Sequence, residues 1–123
     1  MHNPGDVVHF WSVEANKPKY HLCVSLGGHY LLLNSPSPII YEGNLALPCS
    51  DFPFLVPTPT GETVICCTLV LAPSARTLAK VKPVVKGTVS RAVLLKIVSF
   101  VEDCDALSED DREAILTGLD GWL

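Results

Sequence analysis

The hydrophobic pattern of the chain is clearest around Gly27-Gly28, where two runs of aromatic, aliphatic and β-branched residues meet. A Gly-Gly pair between such runs predicts a tight β-hairpin, because glycine tolerates the positive φ that a primed turn requires. A two-residue loop would pair His21 with Asn34. Side chains alternate between the two faces of a sheet, so this register predicts that one face carries Lys19, His21, Cys23, Ser25, Tyr30, Leu32 and Asn34. A three-residue loop would shift the register by one and dissolve that group.

Strand-forming residues also precede and follow the hairpin. Residues 6–13 predict a first strand, and the charged, Asn- and Pro-containing residues 14–18 predict a surface loop after it. Residues 63–72 carry no charge. Their length and β-branching predict a strand that is buried on both faces, or one that curls across a small barrel.

Proline restricts the middle of the chain. Six of the ten prolines lie in residues 36–61, and this density excludes long helices and central strands there. Residues 39–41 predict a short edge strand within that segment. Residues 76–85 place apolar side chains among basic ones, which predicts a second, exposed edge strand that its lysines protect against aggregation.

Helical spacing is strongest near the C-terminus. Ser90 is a good N-cap for a helix over residues 90–104. Ser108 predicts the N-cap of a shorter helix over residues 108–118, with its hydroxyl accepting from the backbone N–H of Asp111. Strands first and helices last predict a mainly β fold, a small antiparallel barrel with one long and one short terminal helix. The chain length fits a single domain over residues 1–123.

Composition bears on compartment and redox state. Hydrophobic residues make up 48% of the chain. No stretch reaches the ~18 unbroken apolar residues of a membrane helix, however, and no signal peptide is visible, so we expect a cytoplasmic protein with no membrane partner. The five cysteines lack CxxC spacing, which favours buried reduced thiols over a metal site or disulfides.

Charge is distributed unevenly along the chain. Residues 1–101 carry eight basic and five acidic side chains, whereas residues 102–123 carry eight acidic side chains and one basic one. The body of the protein could therefore meet an anionic partner that the C-terminal segment would repel.

Four short segments occur in an order that is similar to a known family. They are PGDVV at residues 4–8, the basic-Pro pair Lys17-Pro18, LCVS at residues 22–25, and VVKGTVSRAVLLKI at residues 84–97. In this order and spacing they resemble the PemK/MazF family of type II toxins, over nearly the whole chain apart from residues 36–61.

The resemblance implies an SH3-like barrel that forms a homodimer and cleaves single-stranded RNA as a metal-independent endoribonuclease, without a cofactor. It also implies a cognate antitoxin protein as partner. Lys17 or Lys19 stands where the family has a catalytic arginine, and Ser35 or Ser37 lies nearest its hydroxyl position. Lysine provides a point charge in place of a planar bidentate fork, so this replacement is not conservative.

Metal-free RNA cleavage requires a proton acceptor for the ribose 2′-OH, a proton for the leaving oxygen and stabilisation of the phosphorane charge. His21 suits the acid or base role because its ordinary pKa is near neutrality. The predicted catalytic residues are Lys17, Lys19, His21 and Ser35. The predicted RNA-binding residues are Asn34, Ser37, Lys80 and Lys82.

Packing offers a different interpretation of the same residues. His21 could be a half-buried sheet histidine that is bonded to Asn34. Lys80 and Lys82 could be solvated edge lysines instead of a phosphate track. The alternative function is a non-catalytic barrel that acts as a protein-interaction or regulatory module. The missing arginine and the net charge of −4 favour that alternative.

Overall fold

The computed structural model describes residues 1–36 and 41–123. Its strands and helices, in chain order, are β1 Asp6–Ser12, β2 Lys17–Ser25, β3 His29–Asn34, β4 Asn44–Pro48, a 3-10 turn Cys49–Asp51, β5 Glu62–Leu71, α1 Ala75–Val81, β6 Val84–Thr88, α2 Arg91–Glu102 and α3 Glu109–Leu119. No helix of the described ranges is long and apolar enough to cross a membrane. All five cysteines are free; Cys23, Cys67 and Cys104 are buried, and Cys49 and Cys66 are partly exposed.

The six strands form one antiparallel sheet in the order β4-β5-β3-β2-β1-β6. The predicted mainly β architecture with two C-terminal helices is therefore confirmed. The sheet is open across the described residues, because its edge strands β4 and β6 each pair with a single neighbour, so the predicted closed barrel is not observed. Helices, instead of a second layer of strands, cover the apolar face of the sheet.

The β2–β3 hairpin differs in register from the prediction. Its loop has three residues, Ser25 pairs with His29, and a bulge at Val24 brings His21 opposite Leu32 instead of Asn34. The longer loop and the bulge each displace the pairing by one residue. Side chains alternate between faces with a period of two, and the total displacement is two residues. Lys19 and His21 therefore still share a face with Leu32 and Asn34, as predicted.

The main core lies between one face of the sheet and helices α2 and α3. The buried residues of this core include Leu22, Val24, Leu31, Ile65, Ile97, Val101, Ile115 and Leu119. Both predicted N-caps are confirmed: the Ser90 hydroxyl accepts from the Val93 N–H, and the Ser108 hydroxyl accepts from the Asp111 N–H. These caps satisfy backbone donors that the first helical turn leaves free.

A smaller core occupies the opposite face of the sheet. Its buried members are Val8, Phe10, Cys23, Tyr30, Leu32 and Leu71, against which Leu78 and Val81 of α1 pack. The edge strand predicted over residues 76–85 is therefore wrong in its first part, which is helix α1, and only Val84 and Val85 belong to edge strand β6. Ser74 is the N-cap of α1. The apolar residues Leu78 and Val81 of this helix are three positions apart and cover the second core.

The proline-rich segment supplies an edge strand at a different place from the prediction. β4 pairs with β5 at the edge of the sheet and ends at Pro48, which agrees with the confinement of proline to edges. Residues 39 and 40 of the edge strand predicted over residues 39–41 lie outside the described residues, and Tyr41 is not in a strand.

Candidate functional site

Four of the residues predicted from the sequence to act on RNA line two neighbouring clefts. We call the cleft of about 450 Å³ beside residues 55–59 cleft A, and the cleft of about 810 Å³ over the β4–β5 surface cleft B. The residues that line both are Lys17, Lys19, Asn34 and Ser35, which we call the shared wall. Two cations, an amide and a hydroxyl therefore converge where the clefts adjoin.

The hairpin explains why these side chains meet. Lys17 and Lys19 lie at the start of β2, and Asn34 ends the antiparallel neighbour β3. Continued by two residues, the observed register places Lys19 across from Asn34, and the Lys19 ammonium donates a hydrogen bond to Asn34 Oδ1. Ser35 is exposed and follows directly after β3.

The shared wall is cationic. Partial burial lowers the pKa of Lys19, and the charge of Lys17 nearby lowers it further. Within the described residues, the ion pairs are Lys96–Asp51 and Arg112–Glu109, so neither lysine of the shared wall forms a close ion pair with a carboxylate. A bound anion would relieve the repulsion between the two ammonium groups.

Cleft A combines this charge with an apolar wall. The proline-rich loop contributes Leu55, Val56, Pro57 and Pro59, and Tyr20 and Leu33 add further apolar surface. The hydroxyls of Thr58 and Thr63 also line it, and its described lining contains no carboxylate. An apolar pocket with a few convergent polar groups is typical of a small-ligand site, and the charge of the two lysines favours an anionic ligand.

Cleft B differs from cleft A in its charge. In addition to the shared wall, it is lined by the carboxylates of Glu42 and Glu62, by the Asn44 amide and by the Tyr41 ring. Val64 and Cys66 of β5 and Ala46 of β4 also line it. Cations and carboxylates are equal in number among the described residues of this lining, so cleft B suits a neutral polar group.

The structure places His21 away from both clefts. Its side chain is 0% exposed, and its ring stacks on Phe10 with a centroid separation of 3.6 Å. His21 Nδ1 lies 3.1 Å from the Lys19 carbonyl oxygen, and Nε2 is buried with no hydrogen-bond partner among the described residues. Burial lowers the pKa of His21 to about 4. The packing interpretation thus agrees with its burial, although Asn34 is bonded to Lys19 instead.

The other predicted residues are dispersed. Lys80 lies in the last turn of α1, and Lys82 ends that helix with a left-handed φ of 50°. Both are exposed, and neither lines cleft A or cleft B. Ser37 lies outside the described residues.

Sequence reasoning missed the groups that the proline-rich segment contributes. The backbone N–H of Thr58 donates to Cys49 Sγ at 3.4 Å, and hydrogen bonding by Thr58 lowers the pKa of Cys49. Thr58 precedes Pro59, which restricts the Thr58 backbone to extended conformations, and this Pro-Thr-Pro pattern was the available signal. No cluster of three or more His, Cys, Asp or Glu suited to a metal ion is found in the described ranges.

A comparison of the chain with protein-family models, with curated proteins and with solved structures finds no match. The argument for function therefore depends on the geometry of the shared wall and of the two clefts.

Proposed function

We propose that this chain binds single-stranded RNA across the shared wall and cleaves it as a metal-independent endoribonuclease similar to the PemK/MazF toxins. The observation that supports this most is the convergence of Lys17, Lys19, Asn34 and Ser35 between two clefts. A phosphodiester at this position would meet two cations, and clefts on either side would accept the adjoining nucleosides.

Cleavage of the RNA backbone requires the residues of the shared wall to perform three tasks. In its neutral form, Lys19 accepts the proton of the ribose 2′-OH, and the resulting 2′-oxygen attacks phosphorus. As the bond from phosphorus to the 5′-oxygen breaks on the opposite side of phosphorus, the Lys17 ammonium donates a proton to that leaving oxygen, and exchange with water then restores both lysines. Lys17 and the Ser35 hydroxyl stabilise the phosphorane charge. The products are a 2′,3′-cyclic phosphate and a free 5′-hydroxyl.

The lowered pKa of Lys19 supports this assignment. An ordinary lysine is almost wholly protonated at neutral pH and accepts a proton poorly, whereas burial and the neighbouring Lys17 make the neutral form of Lys19 more accessible. His21 has no part in this mechanism, because its buried ring does not reach either cleft.

The proposal includes the remaining properties that the resemblance implies. The open six-stranded sheet would be a variant of the SH3-like barrel of that family. The protein would act in the cytoplasm as a homodimer, and a cognate antitoxin would cover the shared wall.

The decisive experiment incubates the purified protein with a long unstructured RNA in the presence of EDTA. We expect the wild type to leave 2′,3′-cyclic phosphate ends. The Lys19→Ala and Ser35→Ala variants should lose most of this activity. Lys80→Ala is the matched control, since it removes an exposed lysine that lines neither cleft. Absence of cleavage by the wild type, or equal cleavage by all four proteins, would overturn the nuclease mechanism.

A second candidate function is favoured by the β6 edge of the sheet. Val84 and Val85 are 53% and 49% exposed there, and Trp11 on the adjacent strand is 46% exposed. Within the described chain, β6 pairs with β1 alone. An edge with exposed apolar residues suits a protein-interaction module that adds a partner strand. An inactive wild type that still retains a partner protein through this edge would support this function.

A further inference from the structure

The shared wall imposes an order on any RNA strand that uses both clefts. Its four residues line cleft A on one side and cleft B on the other, so a strand that passes between the clefts crosses them. The cationic groups of the wall suit the phosphate between two nucleosides. One nucleoside would then occupy each cleft.

The two clefts differ in what they can distinguish. Besides the shared wall, cleft A offers an apolar surface, two threonine hydroxyls and no carboxylate among its described lining residues. Such a surface stacks on the face of any base and selects little. Cleft B is the larger, and its carboxylates are hydrogen-bond acceptors with fixed preferences among bases.

Of the two carboxylates that line cleft B, Glu62 lies on a strand, whereas Glu42 lies in a turn. Glu62 begins β5, on the same face of the strand as Val64 and Cys66, which also line cleft B. Pairing between β4 and β5 places it opposite Pro48, so the backbone that carries it is fixed at the edge of the cleft. Its side chain is exposed and available to a ligand.

The chemistry of a carboxylate selects among bases. Guanine presents N1–H and N2–H₂ side by side on its Watson–Crick edge, and the two oxygens of one carboxylate can accept both hydrogen bonds. Uracil presents one N–H between two carbonyl oxygens. A carboxylate can accept the single hydrogen bond from that N–H, but its negative charge repels the two carbonyl oxygens. A site built to hydrogen-bond a donor discriminates strongly against a base that lacks it.

We propose that cleft B is a guanine-selective subsite in which Glu62 accepts hydrogen bonds from guanine N1–H and N2–H₂, next to the phosphate that the shared wall holds. This inference depends on the proposed RNA binding, since it names the base that the same site reads. It does not depend on cleavage.

Fluorescence anisotropy with short labelled oligonucleotides tests this directly. The probes are 2′-O-methyl hexamers, which cannot be cleaved through their 2′ position: hexauridine, and the same hexamer with one central guanine or one central inosine. We expect the guanine probe to bind about tenfold more tightly than hexauridine, because one bidentate contact discriminates by roughly that factor or more. Inosine lacks the 2-amino group and should bind with intermediate affinity.

The variants identify the residue responsible. Glu62→Gln should remove most of the preference for guanine over hexauridine, because its amide offers a single acceptor oxygen. Glu113→Gln is the matched control, an exposed glutamate on α3 that lines neither cleft. Far-ultraviolet circular dichroism of each variant verifies that it is folded.

The outcomes separate the two levels of the inference. Equal binding of guanine and uridine probes by the wild type, or a preference that survives in Glu62→Gln, would overturn the guanine subsite and leave RNA binding intact. Failure of every probe to bind would overturn both the subsite and the proposed function.

Discussion

Lys19 donates a hydrogen bond from its ammonium group to Asn34 Oδ1, which joins the start of β2 to the end of β3 at the shared wall. The bond holds a flexible lysine side chain in one orientation. Because an ordered cation loses less conformational entropy when it binds an anion, Asn34 would preorganise Lys19 for the phosphate of the proposed RNA ligand.

Lys19→Ala should therefore weaken binding of a noncleavable single-stranded RNA and lower the magnitude of its salt dependence by about one unit of log Kd against log salt. Asn34→Ala should weaken binding less and leave that slope nearly unchanged, since it removes orientation and no charge. Fluorescence anisotropy titrations between low and moderate salt measure both the affinity and the slope of log Kd against log salt concentration. Lys80→Ala is the control, and a slope change there as large as for Lys19→Ala would contradict a local phosphate contact.

His21 should make the protein less stable in mild acid. Its pKa is about 4 in the folded state, whereas its ordinary value of 6.5 applies once the chain unfolds. Between pH 6.5 and pH 4 the unfolded state binds a proton that the folded state excludes, so this contribution to stability is complete above pH 6.5 and is lost as the pH falls. The loss approaches about 3 kcal/mol at pH 4.

The measurement is urea unfolding of the wild type and of His21→Leu at several pH values in that window. We expect the stability of His21→Leu to decline less steeply with acidification, because leucine cannot take up the proton. Parallel pH profiles for the two proteins would show that the buried imidazole is not the group responsible.

Local signals in the sequence were sufficient for much of the fold. The position of the hairpin and both serine N-caps depend on residues close together in the chain, and these predictions are confirmed, whereas the predicted two-residue loop is wrong. Helix α1 was missed because Leu78 and Val81 alone are a short apolar pattern; a helix this short depends on its Ser74 cap and on contact with the second core. The bulge at Val24 has no signature in the hydrophobic pattern, so the register could not be derived.

Some residues of the candidate site could be predicted from local sequence, and others could not. Lys19 and Asn34 could be grouped because they end paired strands of one hairpin. Thr58 and Glu62 reach the clefts from a segment distant in sequence, and only the tertiary fold reveals their proximity. The burial of His21 likewise depends on stacking against Phe10 of β1, an interaction that its own strand does not indicate.

Gly118 should be intolerant of substitution because α3 lies very close to β2 at this residue. A Cβ added here would overlap the Val24 carbonyl oxygen. Alanine gains about 1 kcal/mol of helix propensity over glycine, but a clash with backbone typically costs 1–3 kcal/mol and cannot be relieved by a rotamer change. We expect Gly118→Ala to lower the free energy of unfolding, measured in urea.

Thr117→Ala is the matched control for Gly118, since Thr117 is an exposed neighbour in the same helix. It should leave stability unchanged or raise it by a few tenths of a kcal/mol, following helix propensity. An increase in the stability of Gly118→Ala would mean that α3 and β2 are farther apart than described.

Arg112 should stabilise the C-terminal helices mainly through hydrogen bonds to backbone carbonyl groups and not through its ion pair with Glu109. Its guanidinium donates to the carbonyl oxygens of Val101, Glu102 and Cys104, where α2 ends and leaves carbonyls without helical partners. Its partner Glu109 is 87% exposed, and such surface pairs contribute about 0–1 kcal/mol. Hydrogen bonds from a charged donor contribute about 1.5–3 kcal/mol each when well shielded.

Arg112→Met keeps the aliphatic stem but removes all three hydrogen bonds, and we expect it to destabilise the protein by about 2–3 kcal/mol in urea unfolding. Glu109→Ala should cost less than about 1 kcal/mol, because it removes only the exposed partner. Arg112→Lys should recover little of the loss, since one ammonium cannot span three carbonyl groups as the planar fork does. Equal destabilisation by Arg112→Met and Glu109→Ala would show instead that Arg112 stabilises the protein mainly through its ion pair with Glu109 within α3.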